Sequence, residues 1–355
     1  MKTIIFLLIL ISTYVYSSDS DMKIKLNMGL NYSKWNFKDS SGGKKMLHEI
    51  DPYFLKTISV KIFNFHGLDF DLYYLTNSLF SSLGFSAPEN KGDKDEDGIR
   101  RFRFIVETKK TNSVSYGFHA DFRKFQGTSV YEAYKNYPTP SVNFFPYEGE
   151  QGVIKVGDKM SWYTTIQEFS LFRRINSKID ERFYKFGIYY QSKKAFNSVS
   201  LKKDIKNYTI YINGVMDLIQ SMITIYYTQG LEKKINKWQL SSEMNFGLGF
   251  SSYENQFIEA SFIDGSAMSA YLDVFAKRDF LFLNKPAFLK MGVKGNVVKY
   301  FTFGDGGTSV KLKKDISYET SYSGRRTAEK GEEWNLELDR YETIWGAYLE
   351  FQIVF

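Results

Sequence analysis

Arg101 and Arg103 stand two residues apart, as do His119, Asp121 and Arg123, and the positions between them are the apolar Phe102, Ala120 and Phe122. A β-strand turns successive side chains to opposite faces, so this spacing gathers each polar set on one face. Guanidinium groups hold carboxylate or phosphate through paired hydrogen bonds, and several together form a basic ladder suited to small anions. Lys61 on an earlier segment, and Lys290, Lys294, Lys311 and Lys313 on later ones, extend the same basic set. Glu148 and Glu150, in the segment Phe145-Pro146-Tyr147-Glu148-Gly149-Glu150, would set up a transverse field if folded opposite that ladder. Any one of these residues is equally at home in a solvated wall of mixed charge. The expectation of anion binding rests on the set.

Other chemistry is sparse. Asp93, Asp95 and Asp97, followed by Gly98, match the opening of a Ca²⁺-binding loop, but its twelfth position, where a bidentate Glu belongs, is Phe104. An acidic, solvated loop accounts for that stretch better, and no cofactor is expected. His48-Glu49 beside Asp51 has the residue types of an acid-assisted protease without a supporting spacing, His119 lacks an adjacent serine, and His66 falls in a short turn. Gly304 to Gly307 leads into a strand rather than a helix, so it reads as a turn and not as a phosphate loop. No catalytic residue is expected.

The elements that would position these side chains are alternating strands. Ile24, Leu26, Met28, Leu30 and Tyr32 face one way, while Lys23, Lys25, Asn27, Gly29 and Asn31 face the other. The same alternation recurs over 54–62, 68–74, 101–108, 114–122, 163–173, 184–190, 208–216, 219–228, 238–250, 268–276, 287–297, 310–322 and 341–355. That makes about 14 strands, at a spacing that suits tilted membrane strands with alternating short turns and long loops. Sixteen follow if Phe257 to Phe262 is a separate strand, and twelve if two weak segments are loops. Short connections are expected at 64–67, 109–112, 176–178 and near Asp217. Long ones are expected at 38–51, 77–98, 126–157, 192–204 and 323–339.

At the N-terminus, Met1-Lys2 precedes the apolar run Ile4 to Ile11 and then Val15-Tyr16-Ser17, which predicts a signal peptide over 1–17 and one barrel domain over 18–355. That run is too short to cross a bilayer as a helix. With 32 Phe and 26 Tyr but no long apolar run, the aromatics are spread singly along the strands, as a barrel requires. Without cysteine there is neither a lipoprotein acyl site nor a disulfide framework. The net charge of +7, lowered by one when Lys2 leaves with the signal, agrees with anion preference without deciding it. Nucleic acid is not expected as a partner of an exported chain.

The terminal stretch Tyr341 to Phe355, with large apolar side chains at Trp345, Leu349, Phe351, Ile353 and the final Phe355, resembles the closing strand of bacterial outer-membrane porins. Together with Val15-Tyr16-Ser17 and the strands between, the resemblance covers the whole mature chain. The aromatic, lysine-rich, cysteine-free composition is also similar to porins of the spirochaete type, some of which pass dicarboxylates. The resemblance implies an all-β, transmembrane, antiparallel up-and-down barrel in the outer membrane, with external loops and a water-filled lumen for small hydrophilic, preferentially anionic solutes. It implies contact with outer-membrane lipids, insertion by the barrel-assembly machinery guided by Phe355, and no enzymatic turnover, and it admits a homo-oligomer. A surface adhesin, an omptin-like protease acting through its loops, and a fatty-acid-type transporter are the alternatives. The transporter would need an N-terminal plug, for which a first strand beginning near Met22 leaves little chain.

Overall fold

The computed structural model describes residues 23–39, 46–76, 98–108, 113–130, 141–147, 150–155, 159–177, 181–205, 208–213, 218–255, 258–301, 308–313, 315–320, 324–336 and 340–355. Among these there is no helix. The first strands are β1 (Lys23–Asp39), β2 (Met46–Phe65), β3 (Leu68–Thr76), β4 (Gly98–Thr108), β5 (Val114–Val130), β6 (Ser141–Tyr147) and β7 (Glu150–Lys155). The middle of the chain supplies β8 (Lys159–Asn176), β9 (Arg182–Ile205), β10 (Tyr208–Asn213), β11 (Leu218–Ile235), β12 (Trp238–Asn255) and β13 (Ile258–Phe282). The last are β14 (Lys285–Phe301), β15 (Thr308–Leu312), β16 (Ile316–Thr320), β17 (Gly324–Ala328), β18 (Glu333–Leu336) and β19 (Arg340–Val354).

Twelve of these close an antiparallel barrel in the order β1-β2-β3-β4-β5-β8-β9-β11-β12-β13-β14-β19, with β19 returning to β1. The seam is completed where β1 begins and β19 ends: Phe355 N–H donates to the Ile24 carbonyl at 2.8 Å, and Ile24 N–H donates back at 3.2 Å. The lowest of the three strand counts is therefore the one that forms. Of the two segments that drop out, Tyr208–Asn213 only extends β9 as a hairpin, and Thr308–Leu312 lies on β18 and the start of β13. Residues 258–262 belong to β13, which excludes sixteen.

The alternation built the staves as expected. Ile225, Leu171, Met244 and Phe250 are 58 to 73% exposed on the outer face, which water would not tolerate over so large an area and hydrocarbon favours. Short connections cluster at the end where Ile24 and Phe355 meet. The His66-Gly67 turn joins β2 to β3 with φ of 49° and 77°, and Leu283-Asn284 joins β13 to β14 with φ of 49° and 60°. Successive positive φ values match the twist of a tight hairpin. His66 is accordingly a turn residue. Asp217 and the connection expected near it lie outside the described residues; Leu218, which follows, pairs with Ala195 and Asn255 at the end of the barrel opposite the His66-Gly67 turn.

The register sets the bore. A line of paired residues starting at Leu240 on β12, passing through Leu30, Arg100 and Lys194, returns to β12 at Glu254, 14 residues beyond its start. Twelve strands with that stagger tilt by roughly 40° around a backbone cylinder of about 12 Å radius. Long side chains from facing walls meet near the axis of such a cylinder.

Candidate functional site

The strand parity that sends Leu and Phe outward sends Lys61, Arg101, Arg103, His119, Arg123, Lys290 and Lys294 into the bore. These residues fall into two levels.

The level nearer the long loops is filled. The Trp35 indole of β1 stacks on Phe125 of β5, with ring centroids 4.3 Å apart and planes 5° from parallel. Its Nε1–H donates to Glu342 on β19 at 2.7 Å. Glu342 forms an ion pair with Lys193 from β9. Lys193 Nζ donates to the Tyr300 hydroxyl at 3.4 Å, and that hydroxyl donates to Gln191 Oε1 at 2.6 Å. Gln191 Nε2 donates to Glu168 at 2.9 Å, Glu168 is paired with Arg123, and Arg123 lies 3.3 Å from Asp121, which also holds Arg101. Arg340 completes the level with its guanidinium 4.0 Å over the Tyr253 ring. Trp35, Asp121, Lys193, Arg340 and Glu342 are no more than 1% exposed. Side chains of β1, β5, β8, β9, β14 and β19 thus join across the lumen.

Below this layer, towards the turn end, lies a cavity of about 90 Å³. Lys61, Arg101, Arg103, Lys290 and Lys294 line it, against only Asp273 and Glu350 among the carboxylates of its wall. Lys61 and Arg103 approach Asp71 at 2.9 and 3.7 Å, and Lys290 approaches Glu350 at 3.7 Å. Lys294 Nζ donates to Asn31 Oδ1 at 3.0 Å. Tyr348 lies between Lys290 and Lys294, whose ammonium groups sit 4.8 and 5.3 Å from its ring centroid. It crosses Gly292, where a Cβ would come within 2.7 Å of the ring, so a side chain at 292 would push Tyr348 away. The hydroxyls of Tyr348 and Tyr271 both donate to Asp273, at 2.8 and 3.2 Å.

Not every residue singled out by the sequence joins this site. Lys311 and Lys313 do not face the bore. β15 is not a stave; Lys311 pairs with Glu333 at exposed positions, and Lys313, half-buried, pairs with Glu254 at the long-loop end of β12. Asp93, Asp95, Asp97 and Glu148 lie outside the described residues, as does the 1–17 segment. Glu150 begins β7, which pairs with β6 outside the barrel sheet. Among the described residues no group of three His, Asp or Glu side chains is arranged to hold a metal ion. Sequence reasoning missed Trp35, Phe125, Lys193, Tyr300 and Arg340. Parity alone would have turned them inward, since Trp35 shares the face of Asn31 and Lys193 that of Gln191, but aromatic character counted as a sign of lipid contact.

No family model matches the chain, and no curated protein matches it. Among solved structures it is similar to the P. putida toluene transporter TodX, at 9% identity and a TM-score of 0.34, over 95% of this chain and 91% of that one. A Pseudomonas aeruginosa FadL homologue matches at 9% identity and a TM-score of 0.34, over 94% and 90% of the two chains. The outer membrane protease OmpT from Escherichia coli matches at 12% identity and a TM-score of 0.36, over 94% and 97%.

Proposed function

We propose that this chain is an outer-membrane barrel that handles small anions and whose bore is held shut, in this conformation, by the layer around Lys193 and Glu342. The observation that carries the reading is the cavity lined by five cationic side chains, with Asp273 and Glu350 on its wall and Asp71 and Asp121 paired behind it, which leaves the basic groups in excess. Fixed charge of one sign between low-dielectric walls concentrates the opposite ion and repels its own. A wide diffusion pore does not fit a bore this narrow and this filled, so ion flow needs rearrangement of the layer. The reading carries no catalytic step. It takes the apolar exterior as the surface for outer-membrane lipids, the assembly machinery as the route of insertion, and leaves the homo-oligomer to direct measurement.

Planar-bilayer recording tests this. Rare, low-conductance openings with a reversal potential towards the chloride equilibrium value are the expected result, with more frequent openings when the layer is cut by Trp35→Ala. Cation preference would refute the anion assignment. The filled layer favours a second reading, a closed barrel that only displays binding loops. Silence from both the parent chain and Trp35→Ala would support it.

A further inference from the structure

We infer that the turn-end cavity is a binding site for a compact, protonatable oxyanion of the inorganic phosphate class. The assignment rests on the reading above for the sign of the solute, and not for its passage through the barrel.

The cavity holds donors with nothing to donate to. Among the described residues, Arg103 Nε and the Tyr73 hydroxyl are buried without hydrogen-bond partners, and Tyr73 is only 5% exposed. Both residues line the cavity, with the Arg103 guanidinium 4.6 Å over the Tyr73 ring. A buried donor left unpaired keeps an uncompensated desolvation cost, which a bound acceptor would recover. The ammonium groups of Lys290 and Lys294 reach the same space from β14, and among the described residues Lys294 donates to the neutral Asn31 rather than to a carboxylate.

Shape selects among anions. These donors come from β3, β4 and β14, so they converge from different sides, and a ligand must present oxygens in several directions to satisfy them. A halide has no directional acceptors, and a monocarboxylate offers two oxygens in one plane. A volume of about 90 Å³ exceeds the 10 to 15 Å³ that one water needs, and suits an ion of about five heavy atoms. The carboxylates discriminate further. Asp273 is already engaged by two tyrosine hydroxyls, but among the described residues Glu350 keeps only a loose 3.7 Å contact with Lys290. Near neutral pH phosphate carries a hydroxyl that can donate to Glu350, whereas sulfate carries none and would meet it as a repelling charge. Entry is from the turn end, where Lys61 and Lys290 remain 36 and 25% exposed and Lys25 and Lys277 sit over the Phe288 ring.

Isothermal titration of inorganic phosphate into the refolded full chain in zwitterionic detergent, at fixed chloride, tests the assignment. Saturable binding is expected, with sulfate and succinate at least tenfold weaker. Lys294→Met and Arg103→Met should each weaken phosphate at least tenfold, Tyr73→Phe should weaken it measurably without disturbing packing, and Lys313→Met should leave it unchanged. Folding of each variant is checked by the heat-dependent gel mobility of the barrel. Absence of saturable phosphate binding overturns the site, as does unchanged affinity in all three cavity variants, or equal affinity for sulfate or succinate. Phosphate binding without ion current supports the site and removes the channel, while current without phosphate binding does the reverse.

Discussion

Lys193 of β9 and Glu342 of β19 form an ion pair although five steps of the sheet separate their strands, and both side chains are almost fully withdrawn from solvent. A pair of this kind is a strut between opposite walls. Burying two charges is costly, and the cost is met only while each has its partner.

Removing one partner alone should therefore be damaging. Lys193→Met is expected to destabilise the barrel by about 3 to 5 kcal/mol because it strands the Glu342 carboxylate, and Lys193→Met with Glu342→Gln should recover part of that loss. Equilibrium urea unfolding in detergent measures both. A double variant no more stable than Lys193→Met would show that the two are not coupled.

Trp35 is the bulkiest of the fully buried side chains in the layer. Trp35→Ala removes the stack on Phe125 and the hydrogen bond to Glu342, and should cost about 3 to 5 kcal/mol while lengthening channel openings. Unfolding midpoints and open-time distributions report the two effects separately. Unchanged open times would place the barrier elsewhere in the bore.

The outer face obeys a different rule. Ile225 is 73% exposed on the apolar exterior, and Ile225→Arg is expected to cost about 2 to 4 kcal/mol in a bilayer. The folded fraction after insertion into lipid vesicles is the measurement. An unaffected fraction would mean that this face does not meet hydrocarbon.

Charge reversal separates the bore from the exterior. Lys61→Glu and Lys290→Glu should move the reversal potential away from anion preference, whereas Lys311→Glu, whose side chain is 58% exposed beside Glu333, should not move it. Removing that exposed pair should also change stability by less than about 1 kcal/mol. A shift from Lys311→Glu as large as that from Lys61→Glu would count against the cavity as the selectivity element.

Gly292 makes room for Tyr348. Gly292→Val is expected to displace that ring, unseat Lys290 and Lys294 from its two sides and lower phosphate affinity, with Tyr348→Phe producing a smaller loss. Calorimetry on both variants tests this. Equal affinity in Gly292→Val and the parent chain would exclude Tyr348 as a positioning residue.

Much of this architecture is local, and so could be read from the chain. The two-residue period of Ile24 to Tyr32, or of Arg101 and Arg103, fixes which side chains share a face before any partner strand is known, because alternation is a property of a single extended backbone. Parity placed Lys61, Arg101, Arg103, Arg123, Lys290 and Lys294 in the bore, and it also put Glu342 on the polar face of the last strand. What parity cannot carry is closure. Segments 208–216 and 310–322 alternate like staves in the sequence, yet Tyr208–Asn213 pairs with β9, Thr308–Leu312 with β18 and the start of β13, and Ile316–Thr320 with β17, so the number of strands depended on pairing across the sheet. The stagger of 14 residues, seen only by walking the register around the barrel, sets how near the far wall stands. At that distance Trp35 meets Phe125 and Lys193 meets Glu342, and a face that a single strand marks only as polar becomes a packed layer above a small basic cavity.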